Sequence, residues 1–443
     1  MSIRRVLLAG VLLIATVAVA APTQAAPSSI SVPVGFAVSP FSAVPGLATS
    51  LDFGPDTRAG AVGSRLYATS FGSGQVVVID DLGGLGTPAR TFASGFGSPL
   101  GVLVGPDGTV YVSDAEAARE GPFGRRVYGR VWRVRDVNQD GDALDATDTK
   151  EVVLKDLPNG RHNTNGLALG SDGLLYITNG NSTDDGVEGG DPEVPPWSGS
   201  VVRIDPSATN VSVSELDPAT SLVATGMRNL FDVAFSPVDP THLLIPMNGT
   251  DDARRNDEPP PDHIEDSDDL LYLTDVDNAG PDGRAVAPAE SGQGNKSGFR
   301  SIADDFGFPS CLYNVARQGN LEPYDNPNPD VIEQFGSCPT ESVVRPIASF
   351  GLHPSADGLA FQTTDAWGGE FTNDLFVCEF GNFFGDEVTG HQVVRVELDP
   401  AGSTVISQGT FLEGVTPLDL TFDDAGVMYV ADFTGSILRV DRI

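Results

Sequence analysis

The sequence predicts an all-β fold, a six-bladed β-propeller whose N-terminal strand closes the last blade. A unit recurs along the chain: an apolar run, a turn rich in Gly, Asp or Pro, a second strand-like run, and a strand that ends in hydrophobic-Arg-hydrophobic. Copies spaced mostly fifty to seventy residues apart, all of strand type, are typical of propeller blades. The copies begin at Ser50, Gly101, Gly166, Asp232, Gly358 and Asp419.

The double-length interval between Asp232 and Gly358 does not add a seventh blade. After "DLLYLTD", the only good strand run before Gly358 is "SVVRPIASF", which fits the fourth strand of the same blade. The fourth blade is therefore expected to carry a long insertion at about residues 274–340.

Ring closure is predicted from the two ends of the chain. The last copy ends at Ile443 without a fourth strand, and the apolar segment Ile30 to Val38, "ISVPVGFAV", can supply it. Pairing of the two ends removes the exposed edge strands that favour aggregation.

The N-terminus predicts export. Arg4 and Arg5 precede an apolar run, and the small residues of "VAVAAPTQAAPSS" follow it, which is the layout of a secretory signal peptide over residues 1–26. We expect a single propeller domain over residues 27–443, secreted or periplasmic. No later apolar run is long enough to span a bilayer.

Charge and cysteine content limit the partners and the covalent structure. The chain has 26 basic and 61 acidic residues, a formal net charge of −35, which argues against nucleic acid and anionic membranes as partners. In an oxidising compartment, Cys311 and Cys338 either pair or stay free, while Cys378 lies in the apolar run "DLFVCEF" and is expected to be a buried thiol.

Residues that break the repeat are the candidates for chemistry. Arg133, Arg203, Arg395 and Arg439 share one repeat position, so we expect structural roles for them. His162, in the loop that enters the third blade, has no such counterpart. It is either a general base or an incidental loop residue.

Arg228 and Asn229 occupy the corresponding loop of the next blade, in "GMRNLFDVAF". An arginine at a channel mouth can stabilise negative charge that develops on a carbonyl oxygen. The alternative is a loop arginine paired with one of the many carboxylates.

The stretch "DVNQDGDALDATD" predicts a calcium-binding loop, in preference to a solvated acidic hairpin. Oxygen ligands alternate along it and Gly141 permits a sharp turn, although Thr147 stands where an EF-hand has glutamate. The candidate ligands are Asp136, Asn138, Asp140 and Asp142.

Two further segments offer oxygen ligands. Asp252 follows the second strand of the fourth blade in a dense acidic loop, for which solvated surface is the alternative interpretation. Gly307 and Pro309 form a turn in "DDFGFPSC" whose backbone carbonyls could face a cation, although turn formation alone explains both residues.

In order along the chain, "LPNGRHNTNGLALGSDGLLYITNGN", "GMRNLFDVAFSP", "DDFGFP" and "GLAF…DLFVCEFGN…HQVVRVELDP" resemble the soluble glucose/sorbosone dehydrogenase family. The resemblance runs from about Gly95 to the C-terminus. It implies an exported six-bladed propeller that uses pyrroloquinoline quinone and calcium to oxidise a sugar and passes electrons to an external acceptor.

The resemblance also implies roles for individual residues. His162 matches the base that takes the proton of the sugar hydroxyl, Arg228 would polarise the quinone carbonyl, and Asn229 would bind the cofactor. Gly307 and Pro309 match the turn that holds the cofactor-linked calcium. Asp252 matches an acidic residue near the site.

One departure from the family concerns the late blades. The family holds its anionic quinone there with lysine and arginine, whereas the basic residues after Arg345 in this chain are Arg395, Arg439 and Arg442. Two alternatives therefore stay open. One is a non-catalytic, calcium-stabilised propeller that binds carbohydrate or protein. The other is a calcium-dependent lactonase using acidic residues such as Asp114 and Asp432.

Overall fold

The computed structural model describes residues 30–184, 186–187, 194–250, 267–277, 303–382 and 388–443. Six mainly antiparallel sheets follow one another along the chain, and each packs against the next. This is the six-bladed propeller that the sequence predicts. Within the described residues, no helix is long and apolar enough to cross a membrane.

The N-terminal strand β1 belongs to the sheet of the last blade, and the strands of the first two blades follow it. The ranges are β1 Phe36–Ala43, β2 Leu47–Pro55, β3 Ser64–Phe71, β4 Gln75–Ile79 and β5 Arg90–Ser94, then β6 Ser98–Val104, β7 Val110–Ala115, β8 Arg119–Gly121, β9 Gly124–Arg126, β10 Tyr128–Arg135 and β11 Thr149–Pro158. Strands β8 and β9 form a small hairpin outside the second blade.

The third blade is followed by a short segment that reaches back to the second. Strand β15 adds to the outer edge of blade two by pairing with β11. The ranges are β12 Thr164–Leu169, β13 Leu175–Asn179, β14 Ser200–Ile204, β15 Val211–Ser212, the 3₁₀ turn Val213–Glu215, α1 Pro218–Ser221 and β16 Leu222–Thr225.

The fourth blade contains the insertion, which lies between its third strand β20 and its fourth strand β24. The ranges are β17 Asn229–Leu230, β18 Ala234–Phe235, β19 His242–Asn248, β20 Asp268–Asp275, β21 Asp304–Asp305, β22 Cys311–Leu312, α2 Val315–Gln318, β23 Tyr324–Asp325, α3 Pro329–Phe335 and β24 Ala348–Leu352. Strand β21 pairs in parallel with β16, so the insertion also joins blade three.

The last two blades are regular. The ranges are β25 Ala356–Phe361, β26 Leu375–Glu379, β27 Gln392–Leu398, β28 Val405–Glu413, β29 Pro417–Phe422, β30 Met428–Asp432 and β31 Ser436–Arg442. Strand β1 completes the sixth sheet beside β31, from Phe36 opposite Arg442 to Ala43 opposite Ser436.

The closing strand starts later than Ile30, where the sequence places it. Pro33 has no N–H to give to a sheet, and the Phe36 N–H closes a turn on the Pro33 carbonyl at 3.1 Å. Gly35 takes the positive φ of +93° that this turn requires. Regular pairing therefore begins at Phe36, inside the predicted segment.

The core consists of one apolar layer between each pair of neighbouring blades. Alternate residues of a strand face opposite sides of its sheet, and β4 illustrates the result. Val77 and Ile79 pack toward blade six, whereas Val76 and Val78 pack toward blade two. Strands β4 and β19 are nearly continuous apolar runs because both faces of their sheets are buried.

The three cysteines and the four repeat-position arginines have defined contacts in the structure. Cys311 and Cys338 form a disulfide within the insertion, and Cys378 is a buried free thiol. The repeat-position arginines make structural contacts. The Arg133 guanidinium donates to the Pro206 carbonyl at 2.8 Å, and the other three bind Val276, Asp374 and Asp441.

Three aspartates on inner strands or their entry loops tie neighbouring blades together near the propeller axis. Asp52 accepts the Val104 N–H of blade two at 2.6 Å. Asp232 accepts a backbone N–H of blade five at 3.1 Å, and Asp419 accepts one of blade one at 2.7 Å. Gly166 has no room for a Cβ because Asp232 packs against it.

Burial raises the pKa of Asp52 and of Asp419 to about 7, and it raises the pKa of Asp232 well above its ordinary value. Repulsion from Asp419 adds to the rise at both Asp52 and Asp232. Because these groups bind protons more tightly in the folded state, their contribution to stability is full below about pH 4, near the unfolded pKa. It is lost as the pH rises toward 7.

We therefore expect the melting temperature to fall between pH 5 and pH 8, and Asp52→Asn to flatten this dependence because the amide does not ionise. Circular dichroism melts across that range measure the slope. Asp205→Asn is the control, since the Ser207 hydroxyl and N–H lower the pKa of this exposed carboxyl out of the window. An unchanged slope in Asp52→Asn would contradict the prediction.

Candidate active site

His162 lies in the loop between β11 and β12, where its backbone and side chain are held by one neighbouring residue. The His162 N–H donates to the Asn181 carbonyl at 3.2 Å, and ring Nδ1 lies 2.8 Å from the same oxygen. Since a carbonyl oxygen only accepts, Nδ1 carries the proton and Nε2 is the basic atom.

Burial lowers the pKa of His162 well below its ordinary value, and the nearby Arg228 charge lowers it further. The imidazole is therefore neutral at and below neutral pH. A neutral imidazole with a fixed tautomer can accept a proton through Nε2, which is the arrangement that a general base requires.

Arg228 is buried next to His162 and is held by an acid that sequence reasoning missed. Its Nη2 binds the Asp184 carboxylate, its Nε donates to the Asp184 carbonyl at 3.0 Å, and its Nη1 lies 3.4 Å from the Asn248 carbonyl. Asp184 follows its strand by five residues, in a loop without periodicity, so no pattern marked it.

Asn229 is the middle member of a line of three amides that runs from blade three across blade four and contacts blade five. Its Oδ1 lies 3.4 Å from Asn165 Nδ2, and its Nδ2 donates to Asn248 Oδ1 at 2.5 Å. Asn248 in turn donates to the Ala356 carbonyl at 2.8 Å and lies 3.4 Å from Asp357. These contacts fix the amide orientation of Asn229 at the top of blade four.

The start of β20 holds a second imidazole that the sequence did not single out. Asp269 is fully buried, accepts the Gly249 N–H at 2.7 Å and the Ala356 N–H at 2.8 Å, and lies 3.2 Å from His353 Nδ1. His353 enters blade five as His162 enters blade three. Its φ of +41° is uncommon for a residue with a Cβ.

The top of blade five is acidic where the family places a basic residue. Glu379 is buried at the end of β26, in "CEFGN", and accepts a hydrogen bond from Gln392 Nε2 at 2.6 Å. Burial raises the pKa of Glu379 to about 7, and the Asp269 charge adds to the rise. On this side of the site, Glu379 and Asp269 therefore place acidic groups where a basic residue was expected from the resemblance.

The predicted calcium loop lies between β10 and β11, away from the site. Its side chains mostly cap backbone N–H groups of the loop itself. Asp136 accepts the Gly141 N–H at 2.9 Å, and Asn138 Nδ2 donates to Asp140 Oδ2 at 2.9 Å. Burial raises the pKa of Asp142, and Asp140 adds to the rise. Calcium binding here stays a prediction.

The second predicted cation position, at Gly307 and Pro309, is a turn with both carbonyls in use. The Gly307 carbonyl accepts the Cys311 N–H at 2.9 Å, and the Pro309 carbonyl accepts Asn326 Nδ2 at 2.9 Å. Asp252 lies outside the described residues. Within the part of the chain that is described, no three His, Cys, Asp or Glu side chains are grouped as a metal ion would require.

The acids considered for a lactonase centre are held separately, each in its own blade. Asp114 accepts the Gly97 N–H at 2.7 Å and pairs with Arg130 at 2.9 Å. Asp432 accepts the Thr416 N–H at 2.9 Å. Each carboxylate thus accepts a hydrogen bond from the loop that enters its own blade.

Comparison with solved structures confirms the resemblance at the level of the fold. The calcium structure of a Trichoderma reesei enzyme of carbohydrate-active enzyme family AA12 matches with a TM-score of 0.67 and 17% identity, over 94% of this chain and 97% of that one. The holo pyranose dehydrogenase PQQ domain from Coprinopsis cinerea matches with a TM-score of 0.64 and 14% identity, over 94% and 97%.

A third similar structure is the PQQ-bound aldose sugar dehydrogenase from Streptomyces coelicolor. It matches with a TM-score of 0.54 and 16% identity, over 93% of this chain and 99% of that one. No protein-family model and no curated protein matches the chain. At these identities the shared property is the six-bladed fold.

Gly180 allows His162 and Asn229 to approach each other, and this provides a test of the site geometry. A Cβ at Gly180 would lie 2.5 Å from His162 Cβ and 3.0 Å from Asn229 Oδ1. We expect Gly180→Ala to displace the imidazole and to destabilise the fold by about 1–3 kcal/mol, the usual cost of overpacking.

The measurements are urea unfolding and the NMR signal of the His162 ring. Gly409→Ala is the matched control, because a Cβ there meets nothing within 4 Å. If the His162 signal stayed unshifted in Gly180→Ala, the described packing of the site would be wrong.

Proposed function

We propose that the protein is an exported dehydrogenase that oxidises a sugar hydroxyl and transfers hydride to pyrroloquinoline quinone, with an external electron acceptor. The observation that carries the proposal is the placement of a neutral, tautomer-fixed His162 beside a buried Arg228 on successive blade loops. The fold similarity to PQQ-containing sugar dehydrogenases supports it.

The residues on blades three and four fit an anionic quinone. Arg228 is desolvated and oriented by Asp184, and Asn229 presents a fixed amide beside it. Asn229 and Arg228 would hold the cofactor on this side. When bound, the quinone supplies the two-electron acceptor for hydride.

Calcium enters the proposal only through backbone carbonyls. The Gly307 and Pro309 carbonyls each accept one hydrogen bond from the protein, and a carbonyl oxygen has two lone pairs. Both could therefore ligate a calcium ion through their second lone pair. Asp252 is proposed separately, as an acidic residue near the cofactor.

The chain's own residues carry the proton chemistry. Nε2 of His162 accepts the hydroxyl proton as the hydroxyl-bearing carbon loses hydride, and the Asn181 carbonyl keeps the imidazole in the required tautomer. The Arg228 guanidinium stabilises negative charge on an oxygen in front of it. This effect is strong because Arg228 is 2% exposed and water is excluded.

The test is a titration of the purified, metal-stripped protein with pyrroloquinoline quinone, with and without calcium, followed by dye reduction with a panel of aldoses. We expect binding and turnover, and we expect His162→Asn to lower turnover at least about a hundredfold, the typical contribution of a general base. His242→Asn, at the opposite end of β19 from Asn248, is the control.

Two results would contradict this proposal. Full activity in His162→Asn would remove the base. Absence of quinone binding at any calcium concentration would favour the second candidate, a non-catalytic propeller that binds carbohydrate or protein. The buried acid Glu379 on blade five supports this candidate, because it would repel an anionic quinone.

The pH dependence of turnover gives an independent check on His162. Because the pKa of His162 lies well below 6.5, the base stays unprotonated as the pH falls through that value. We expect the acid limb of the kcat/KM profile to lie below pH 6.5, measured by dye reduction between pH 4.5 and 8. An acid limb centred at or above pH 6.5 would contradict the assignment.

A further inference from the structure

Two guanidinium groups share one carboxylate at the top of blades three and four. Asp184 is almost fully buried and binds Arg228 Nη2 directly, while Arg161 Nε lies 4.0 Å from the same Asp184 oxygen. Arg228 is equally buried, whereas the Arg161 side chain is 27% exposed. The exposed member of the pair is therefore the one with the weaker contact.

A guanidinium has five N–H donors, and a distance of 4.0 Å is too long for a hydrogen bond. The contact between Arg161 and Asp184 is thus electrostatic only. The Asp184 carboxylate is committed to Arg228, which holds it through the side chain and through the backbone carbonyl. Among the described residues, no group accepts a hydrogen bond from the Arg161 side chain, so its N–H donors are available to a ligand.

The loop after β13 holds Arg161 directly beside the proposed base. The Arg161 N–H donates to the Ser182 carbonyl at 2.8 Å, and the His162 N–H donates to the Asn181 carbonyl at 3.2 Å. Both side chains therefore start from one fixed stretch of backbone. The Arg161 charge also acts on His162 and lowers its pKa, so the two side chains lie in the same region. A ligand group bound by Arg161 would therefore place its neighbouring atoms near His162.

The charge at this place has the opposite sign to that of the whole protein. The chain carries a net charge of −35, which disfavours anionic ligands in general. Among the described residues at the junction of blades three and four, two arginines face one aspartate and a neutral histidine. A carboxylate fits a planar guanidinium in bidentate geometry, so this local excess favours it as the ligand group.

We propose that Arg161 binds a carboxylate group of the ligand that His162 acts on or lies beside. Two sources have this chemistry, an acidic sugar such as a uronic acid and the quinone cofactor itself. The inference rests on the proposed function, but it concerns binding and is tested by binding.

The experiment compares the full-length mature protein with Arg161→Gln by isothermal titration calorimetry, using D-glucuronate, D-glucose and pyrroloquinoline quinone as separate probes. Arg90→Gln is the matched control, because Arg90 is partly exposed and pairs with a single carboxylate, Asp80, at 3.0 Å on blade one. Arg161→Lys keeps the charge and should retain part of the binding.

Either of two results supports the inference. If glucuronate binds about tenfold or more tightly than glucose, and Arg161→Gln removes this preference while Arg90→Gln keeps it, the ligand is an acidic sugar. If Arg161→Gln instead weakens quinone binding about tenfold or more, the carboxylate belongs to the cofactor.

The inference is overturned if Arg161→Gln and Arg90→Gln bind all three probes alike, or if the unaltered protein binds neither carboxylate. Should Arg161→Gln fail to fold, the salt dependence of glucuronate binding to the unaltered protein decides, since a preference that does not weaken with added sodium chloride also overturns it. Dye reduction is measured separately. Its absence together with a glucuronate preference would refute the dehydrogenase and leave the role of Arg161 intact.

Discussion

Burial of every blade on both faces is the constraint on which the rest of the molecule depends. A propeller sheet packs between two neighbours, so its residues must be apolar on both sides, and polar groups are confined to strand ends, loops and the axis. The continuous runs of β4 and β19 reflect this, as do the six apolar layers between blades. Any chemistry must therefore take place at the rims.

Several carboxyl groups that enter the interior are held by hydrogen bonds from backbone N–H groups. Asp52, Asp232 and Asp419 each accept a backbone N–H of a neighbouring blade, which offsets part of the cost of burying a carboxyl group. Asp114 and Asp432 do the same for entry loops of their own blades. Much of the acidic character near the axis thus serves assembly of the ring.

At the candidate site, the same low-polarity surroundings act on several groups at once. Burial and the Arg228 charge both lower the pKa of His162, so the imidazole is kept unprotonated. Burial also strengthens the pair between Arg228 and Asp184, because water competes poorly there. The neutral imidazole of His162 and the strong ion pair of Arg228 therefore have one physical cause, burial at the junction of blades three and four.

Much of the fold could be predicted from the sequence because its signal is periodic. The repeat fixed the number of blades, the position of the long insertion and the structural role of the repeated arginines. It also led to His162, which has no counterpart in the repeat.

The start of β1 at Phe36 depends on a local turn that the apolar pattern of Ile30 to Val38 conceals. The partner of Arg228 comes from a loop 44 residues earlier in the chain, and the imidazole at His353 depends on Asp269, 84 residues away. Neither pairing has a sequence period, so both required the three-dimensional arrangement.

The pairing of β1 with β31 has a consequence for the order in which the protein forms. Phe36 lies opposite Arg442, so the two strands that complete the sixth sheet are almost a full chain length apart in sequence. Contacts of such long range form late, because the chain must lose a large conformational entropy before they add stability. The central strands of the other five sheets pair with strands nearby in sequence, whereas the circle stays open until the C-terminal strand has been synthesised. We therefore expect the last blade to close late in folding.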